Sequence, residues 1–240
     1  MPPGSITMPD AGATTTDNDG LLRLMSWLSP AFPIGSFSYS HGLEQAVEAG
    51  LLTDLDSVTG WVAGILRHGG AWIDAVLFCQ AHRAVRENAP NRLAEIFDLA
   101  EAWRGTAETA LESRSQGKAF VKALSACWPS EEWDRWMAGR EAPAYAVAVA
   151  VAAAAAGIAE EAALAAFLHA VAANLVSAAV RLVPLGQTDG QKAVRALVRI
   201  LPEVVAAAAV HPLADLGTAT PMVDWASMRH ETQYTRLFRS

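Results

Sequence analysis

Six histidines and two cysteines are the side chains of this 240-residue chain best suited to hold a metal or move a proton. His41, His68, His82, His169, His211 and His230 are scattered. Within any one segment, no two of them share a helix face at ligand spacing with a cysteine or a carboxylate pair. His230-Glu231-Thr232-Gln233-Tyr234 starts like a zinc-protease helix, but such a site needs imidazoles at i and i+4, and Tyr234 stands where the second would be. Gly186-Gln187-Thr188-Asp189-Gly190-Gln191-Lys192 has a phosphate loop's ingredients and not its spacing. The second glycine comes one residue early, Gln191 separates it from Lys192, and Ala193 replaces the magnesium-binding hydroxyl. Gly35-Ser36-Phe37-Ser38-Tyr39 is no nucleophile elbow, because its centre is Phe37. These residues predict no catalytic centre and no bound cofactor. His169 reads as a core or boundary histidine, and Cys79 and Cys127 as buried small hydrophobes.

The elements that carry these residues read as helices. With 52% hydrophobic and 18% charged residues the chain is globular. A formal charge of -7 disfavours nucleic acid, whose phosphates an acidic surface repels. Two cysteines far apart form no disulfide framework and fit a reducing cytoplasm. Residues 1–20 are rich in Pro, Gly, Thr, Asp and Asn, lack the basic and apolar regions of a signal peptide, and read as a flexible leader. The uncharged run 142–159 approaches the length of a membrane span, but it is mostly alanine and contains Pro143 and Gly157, so a buried helix is expected instead.

Val58, Trp61, Val62, Ile65 and Leu66 follow the amphipathic helical pattern behind Asp54 and Asp56, and His68-Gly69-Gly70 ends it. A second helix is expected from about Trp72 to Arg86. A third, capped by Asn91, runs through Leu93, Ile96, Phe97, Ala100 and Trp103 and on toward Leu124, with Gly117 as its weak point. Ser130 before two glutamates starts another, with Trp133 and Trp136 expected in packing rather than in a surface patch. Gly157 closes the alanine-rich helix; Leu164, Phe167, Leu168, Val171 and Leu175 line the next, and Pro184 and Gly186 end it. A last pattern from about Gly190 is expected to kink at Pro202. No segment shows sustained strand alternation. The fold class is all-α, a single-domain bundle of roughly eight to ten helices, with the body at 21–225 and a C-terminal docking tail at 226–240.

Three stretches exceed what a core needs. Residues 28–44 pack two prolines and two glycines among serines and aromatics, a shaped loop with hydrogen-bonding character. Residues 181–187 close a helix with Arg181 and turn through Pro184 and Gly186 to Gln187. Residues 228–240 carry three arginines against one glutamate, with Tyr234, Leu237 and Phe238, a composition that suits docking better than a frayed end.

In order and spacing, SPAFPIGSFSYSHGLEQAVEAG, VRLVPLGQTDGQ and ASMRHETQYTRLFRS closely resemble the urease accessory protein UreF family, and the resemblance extends over about residues 21–240. Two features depart from it: His41, where many members are expected to carry glutamine, and the simplicity of the alanine-dense run. The resemblance implies an all-α homodimer without a catalytic site, sitting between a UreD/UreH-type protein that docks on apo-urease and the nickel-carrying UreG-type GTPase. Nickel and GTP then belong to the partner. It assigns Tyr39, Glu44, Arg181 and Gln187 to a partner-facing surface. Arg229, Glu231, Tyr234, Arg236 and Arg239 fall in the segment expected to order on the UreD-type protein. Structural roles compete: Tyr39 could pin its loop and Arg181 could cap its helix. The alternative is a direct nickel-binding metallochaperone, with His41 and His230 as the candidate ligands. An all-α enzyme and a peripheral membrane helix are the other rivals.

Overall fold

The computed structural model describes residues 18–240, so nearly all of the expected leader, 1–17, lies outside the described residues. Among the described residues the protein is built from α-helices, with no strand. Ten helices have ten residues or more and two are short. They are α1 (Asn18–Trp27), α2 (Leu43–Glu48), α3 (Leu55–His68), α4 (Gly70–Arg86), α5 (Pro90–Ala102), α6 (Ala107–Cys127), α7 (Glu131–Met137), α8 (Tyr145–Ala155), α9 (Glu160–Leu182), α10 (Gln187–Val198), α11 (Leu201–Val210) and α12 (Pro221–His230). Single 3-10 turns lie at Ser36–Ser38 and Leu213–Asp215.

The alanine-rich run forms the centre. Every residue of α8 from Tyr145 to Ala154 is buried, and the helix packs against α4, α6 and α9. Alanine favours the helix and its small side chain lets neighbouring backbones come close. The closest approach explains Gly117. It lies inside α6, where a Cβ would collide with the carbonyl of Pro143, so the glycine is a crossing point rather than a weak one. Around α8 runs an aromatic chain: Phe32 to Phe120, Phe120 to Tyr145, Tyr145 to Phe167 and Phe167 to Phe78, with ring centroids 5.5 to 5.7 Å apart. Each such pair contributes roughly 0.5–1.5 kcal/mol beyond the area it buries. Phe32 thereby ties the shaped loop after α1 into the core.

The chain breaks where local chemistry dictates, and several expectations shift. Asp54 caps α3 and accepts a hydrogen bond from the Ser57 amide at 2.8 Å. The third pattern is two helices. Trp103 leaves helical geometry and Thr106 caps α6 through the Thr109 amide. Asn91 is no cap, since Ala89 holds that place with Pro90 in the first turn, where a missing N–H costs nothing. Pro202 likewise starts a separate helix, α11, instead of kinking one. The alanine-rich helix ends with Gly157 at φ 73. Trp133 and Trp136 are buried, whereas Cys127 and His169 are exposed, contrary to expectation. Cys127 falls on the last residue of α6, and His169 on the outer side of α9. The boundaries drawn at 20 and 226 both fall inside helices, α1 and α12. By length and composition two segments match a membrane span, Leu55–Arg86 and α9; 61% and 50% of those windows are buried inside the molecule.

Candidate functional site

The three unusual stretches meet in space. After the 3-10 turn at Ser36–Ser38 the chain passes Tyr39 and Ser40 and enters two consecutive left-handed residues, His41 (φ 55) and Gly42 (φ 78). Gly42 is required there twice over. Its φ disfavours any side chain, and a Cβ would lie 2.8 Å from the Ser227 nitrogen of α12. That turn starts α2 and aims Glu44 inward.

The C-terminal tail folds back along this loop. The Arg239 amide donates to the Ser38 carbonyl at 2.8 Å, and the Ser40 amide donates to the Ser240 carbonyl at 2.6 Å. Glu44 receives the Leu237 amide at 2.6 Å and the Phe238 amide at 2.9 Å. His230, fully buried, sits between two carboxylates: its Nε2 lies 3.1 Å from Glu44, and its Nδ1 lies 2.8 Å from Glu108 of α6. Glu108 also accepts from Arg236 at 3.2 Å. Of the tail's arginines Arg236 is thus paired with an acid of the body, and the buried carboxylates of Glu44 and Glu108 find hydrogen-bond partners in the tail region.

Arg181 closes the arrangement from the end of α9. Its Nη2 donates to the Phe37 carbonyl at 2.8 Å, and its guanidinium lies over the Phe238 ring, 4.3 Å from the centroid. Arg239 covers the Tyr39 ring at 5.8 Å. Asn174, also on α9, donates to the Ser36 carbonyl at 3.1 Å and fixes the 3-10 turn.

His41 faces the other way, into a cavity of about 280 Å³ bounded by the loop, α4, α6 and α9. Its Nδ1 lies 3.3 Å from Glu112, which also accepts from Gln116 and from the Ser240 hydroxyl. Burial alone would lower the His41 pKa, and that is the largest single effect. The Glu112 hydrogen bond and the charges of Glu112 and Asp74 together outweigh it and raise the value above the ordinary 6.5. The cavity's other charged pair is Arg104 with Asp74 at 2.7 Å, so its charged walls are paired with one another. Elsewhere, burial pushes the Cys79 thiol up to about 12, which leaves it an unreactive thiol. Burial also lowers the His82 pKa beside the Ile158 carbonyl.

The sequence-stretch residues therefore divide. Tyr39, Glu44, Arg181, Arg236, Arg239 and His230 come together. Tyr39 and Glu44, which the resemblance assigns to a partner-facing surface, are both buried in this chain, where the tail covers them. The tail, expected to order on a partner, is already folded against the chain's own acids. Arg229, Glu231 and Tyr234 are exposed and apart from that network, and Gln187 is the exposed first residue of α10. His41 and His230 are engaged by different carboxylates, Glu112 for His41 and the pair Glu44 and Glu108 for His230. Among the described residues no group of three or more His, Cys, Asp or Glu side chains is placed to hold a metal ion. Sequence reasoning missed Glu108, Glu112 and Asn174. The two glutamates look like ordinary helix-surface acids, and the partners that distinguish them come from distant segments: the tail region for Glu108, and His41 with Ser240 for Glu112.

Fold and site together define an all-helical protein whose principal polar network holds its own C-terminal segment against a shaped N-terminal loop. The chain belongs to the UreF family, whose model matches residues 52–198. It is 48% identical over 231 residues to the urease accessory protein UreF of Granulibacter bethesdensis, covering 96% of this chain and 98% of that one. It is 46% identical over 230 residues to the urease accessory protein UreF of Bradyrhizobium sp. strain BTAi1, covering 96% of each. A third relative, the urease accessory protein UreF of Rhodopseudomonas palustris strain TIE-1, is 47% identical over 241 residues, covering 98% of this chain and 99% of that one.

Proposed function

We propose that this chain serves urease maturation as a cytoplasmic docking protein. It bridges a UreD/UreH-type protein on apo-urease and a UreG-type GTPase, as a homodimer, so that nickel is delivered as cargo under control of the partner's GTP cycle. The chain itself performs no catalytic step in this scheme. The observation that carries the reading is the surface of α12 and the tail. Met222, Trp225 and Met228, spaced three residues apart on α12, are 48%, 38% and 52% exposed; Tyr234 and Leu237 in the tail are fully and 65% exposed. Arg229, Arg236 and Arg239 accompany them, all exposed. Large apolar groups with arginines are the composition of an interface core rather than of a solvated surface. This surface is assigned to the UreD-type protein, and the exposed Arg181–Phe37 corner to the GTPase.

The test is a binding titration of the purified UreD-type protein against wild type and the Tyr234→Ala/Leu237→Ala variant. Loss of affinity by at least tenfold, about 1.4 kcal/mol, with the fold intact, is the expected result. Equal affinity overturns the assignment of this surface.

A further inference from the structure

The cavity beside His41 carries hydrogen-bond donors that the fold does not use. Its volume of about 280 Å³ is near the small end of the range for small-molecule sites, room for roughly nine water-sized groups. The carboxylates of its wall are already engaged. Glu112 meets the His41 ring at 3.3 Å and accepts from the Gln116 amide at 3.1 Å and the Ser240 hydroxyl at 3.2 Å. Asp74 accepts two N–H groups of Arg104.

Two donors are not engaged. Tyr145, the first residue of α8, lines the cavity and is only 9% exposed, yet its hydroxyl has no hydrogen-bond partner among the described residues. A buried hydroxyl left unpaired destabilises the fold, so its position calls for another reason. Burial pushes its pKa up and nothing in the protein offsets that, so it keeps a proton to donate. The second donor is His41. Its Nδ1 faces Glu112, and its Nε2 has no partner among the described residues. That nitrogen lies at the start of α4, 3.3 Å from where a side chain on Gly70 would begin. No side chain caps α4 there, and Ala71 of its first turn lines the same cavity. The open start of a helix adds positive potential and N–H groups without intrahelical partners.

This wall selects by chemistry. A cation or an amine would find the carboxylates taken. Unfilled donors beside a helix start favour acceptor oxygens with negative charge. Much of the remaining wall is hydrocarbon, from Leu28, Ile34, Ile65, Phe167 and Leu175. We infer that this cavity binds a small carboxylate with an apolar body, whose oxygens receive the Tyr145 hydroxyl and the His41 Nε2 while its hydrocarbon part packs on those apolar side chains. The site needs no partner protein, so its failure would leave the docking role untouched.

The test is a calorimetric titration of the full chain near pH 6, below the raised pKa of His41. The probes are benzoate, which has the inferred size and chemistry, and benzyl alcohol, which has a similar shape without the charge. The proteins are wild type and Tyr145→Phe. Benzoate should bind wild type with a Kd of about 1 mM or tighter, and benzyl alcohol at least about tenfold more weakly. Tyr145→Phe should lose about tenfold in benzoate affinity, the scale of one hydrogen bond to a charged group. Its melting temperature without ligand should stay equal or rise, since the hydroxyl has no protein partner to lose. Wild type that binds no benzoate at millimolar concentration overturns the inference. Equal affinity for the two probes also does, because the cavity would then be an apolar hole without a receptor for charge. Unchanged benzoate affinity in Tyr145→Phe would put the benzoate elsewhere, and a lower melting temperature would show the hydroxyl already held within the protein; either result overturns the inference.

Discussion

The guanidinium of Arg181 lies 4.3 Å from the centre of the Phe238 ring while the same group donates to the Phe37 carbonyl at 2.8 Å. One side chain at the end of α9 thus grips both the N-terminal loop and the C-terminal tail, and two surfaces assigned to different partners share a residue. Replacing Arg181 with Glu removes the grip and reverses a charge at an exposed position. Global stability should fall by no more than about 1 kcal/mol, the scale of an exposed cation–π contact. Affinity for the UreG-type GTPase should drop, and the Arg239 amide should exchange faster with solvent hydrogen. An unchanged affinity in a titration of the folded variant would remove Arg181 from the partner surface.

Glu44 is the anchor of the tail. It is buried and accepts from two tail amides and faces His230. Glu44→Ala leaves the two tail amides and the Nε2 side of His230 without their partner inside the protein and should cost about 3 kcal/mol or more, as for one partner of a buried pair. Glu44→Gln, which keeps one accepting oxygen, should cost less. Denaturant titrations rank the three proteins. If the alanine variant matches wild type, the tail is not held by this carboxylate.

The His41–Glu112 pair gives a pH dependence with a definite sign. The folded pKa of His41 is raised above 6.5, so its stabilising contribution is fully present below the ordinary histidine range and is lost as pH rises through the raised folded value. The stability difference between wild type and His41→Gln should therefore be largest near pH 5.5 and shrink toward pH 8.5, read from denaturant midpoints at each pH. A difference that grows with pH would contradict the ion pair.

The helices were legible because their signals are local. The apolar periodicity of α3, the Ser130 cap of α7 and the Gly157 stop of α8 each depend on a handful of adjacent residues. The motif stretches were legible as unusual, and their meeting was not. Glu44 and Glu108 are separated by 64 positions and reach each other only through His230, so no local pattern marks them as a pair. The misread weak point at Gly117 has the same cause. In isolation a mid-helix glycine destabilises, and its reason lies at Pro143 on a different segment.

That reason gives a further expectation. Gly117→Ala is a gain in helix propensity and a collision with the Pro143 carbonyl, which is backbone and cannot swing away. Overpacking of this kind costs roughly 1–3 kcal/mol, against about 1 kcal/mol gained from propensity. The net effect should be destabilising, with the α6–α8 crossing loosened. Thermal unfolding of the variant measures it, and a higher melting temperature would show that α6 and α8 do not approach as described.

The most direct measurement is size-exclusion chromatography with light scattering on this protein mixed with its UreD-type and UreG-type partners, with GTP and nickel present. A single species containing two copies of each protein is the predicted result, and it should disappear when the exposed Tyr234 and Leu237 of the tail are replaced by alanine. Well-folded samples that elute separately, or a complex indifferent to those replacements, would contradict the docking role.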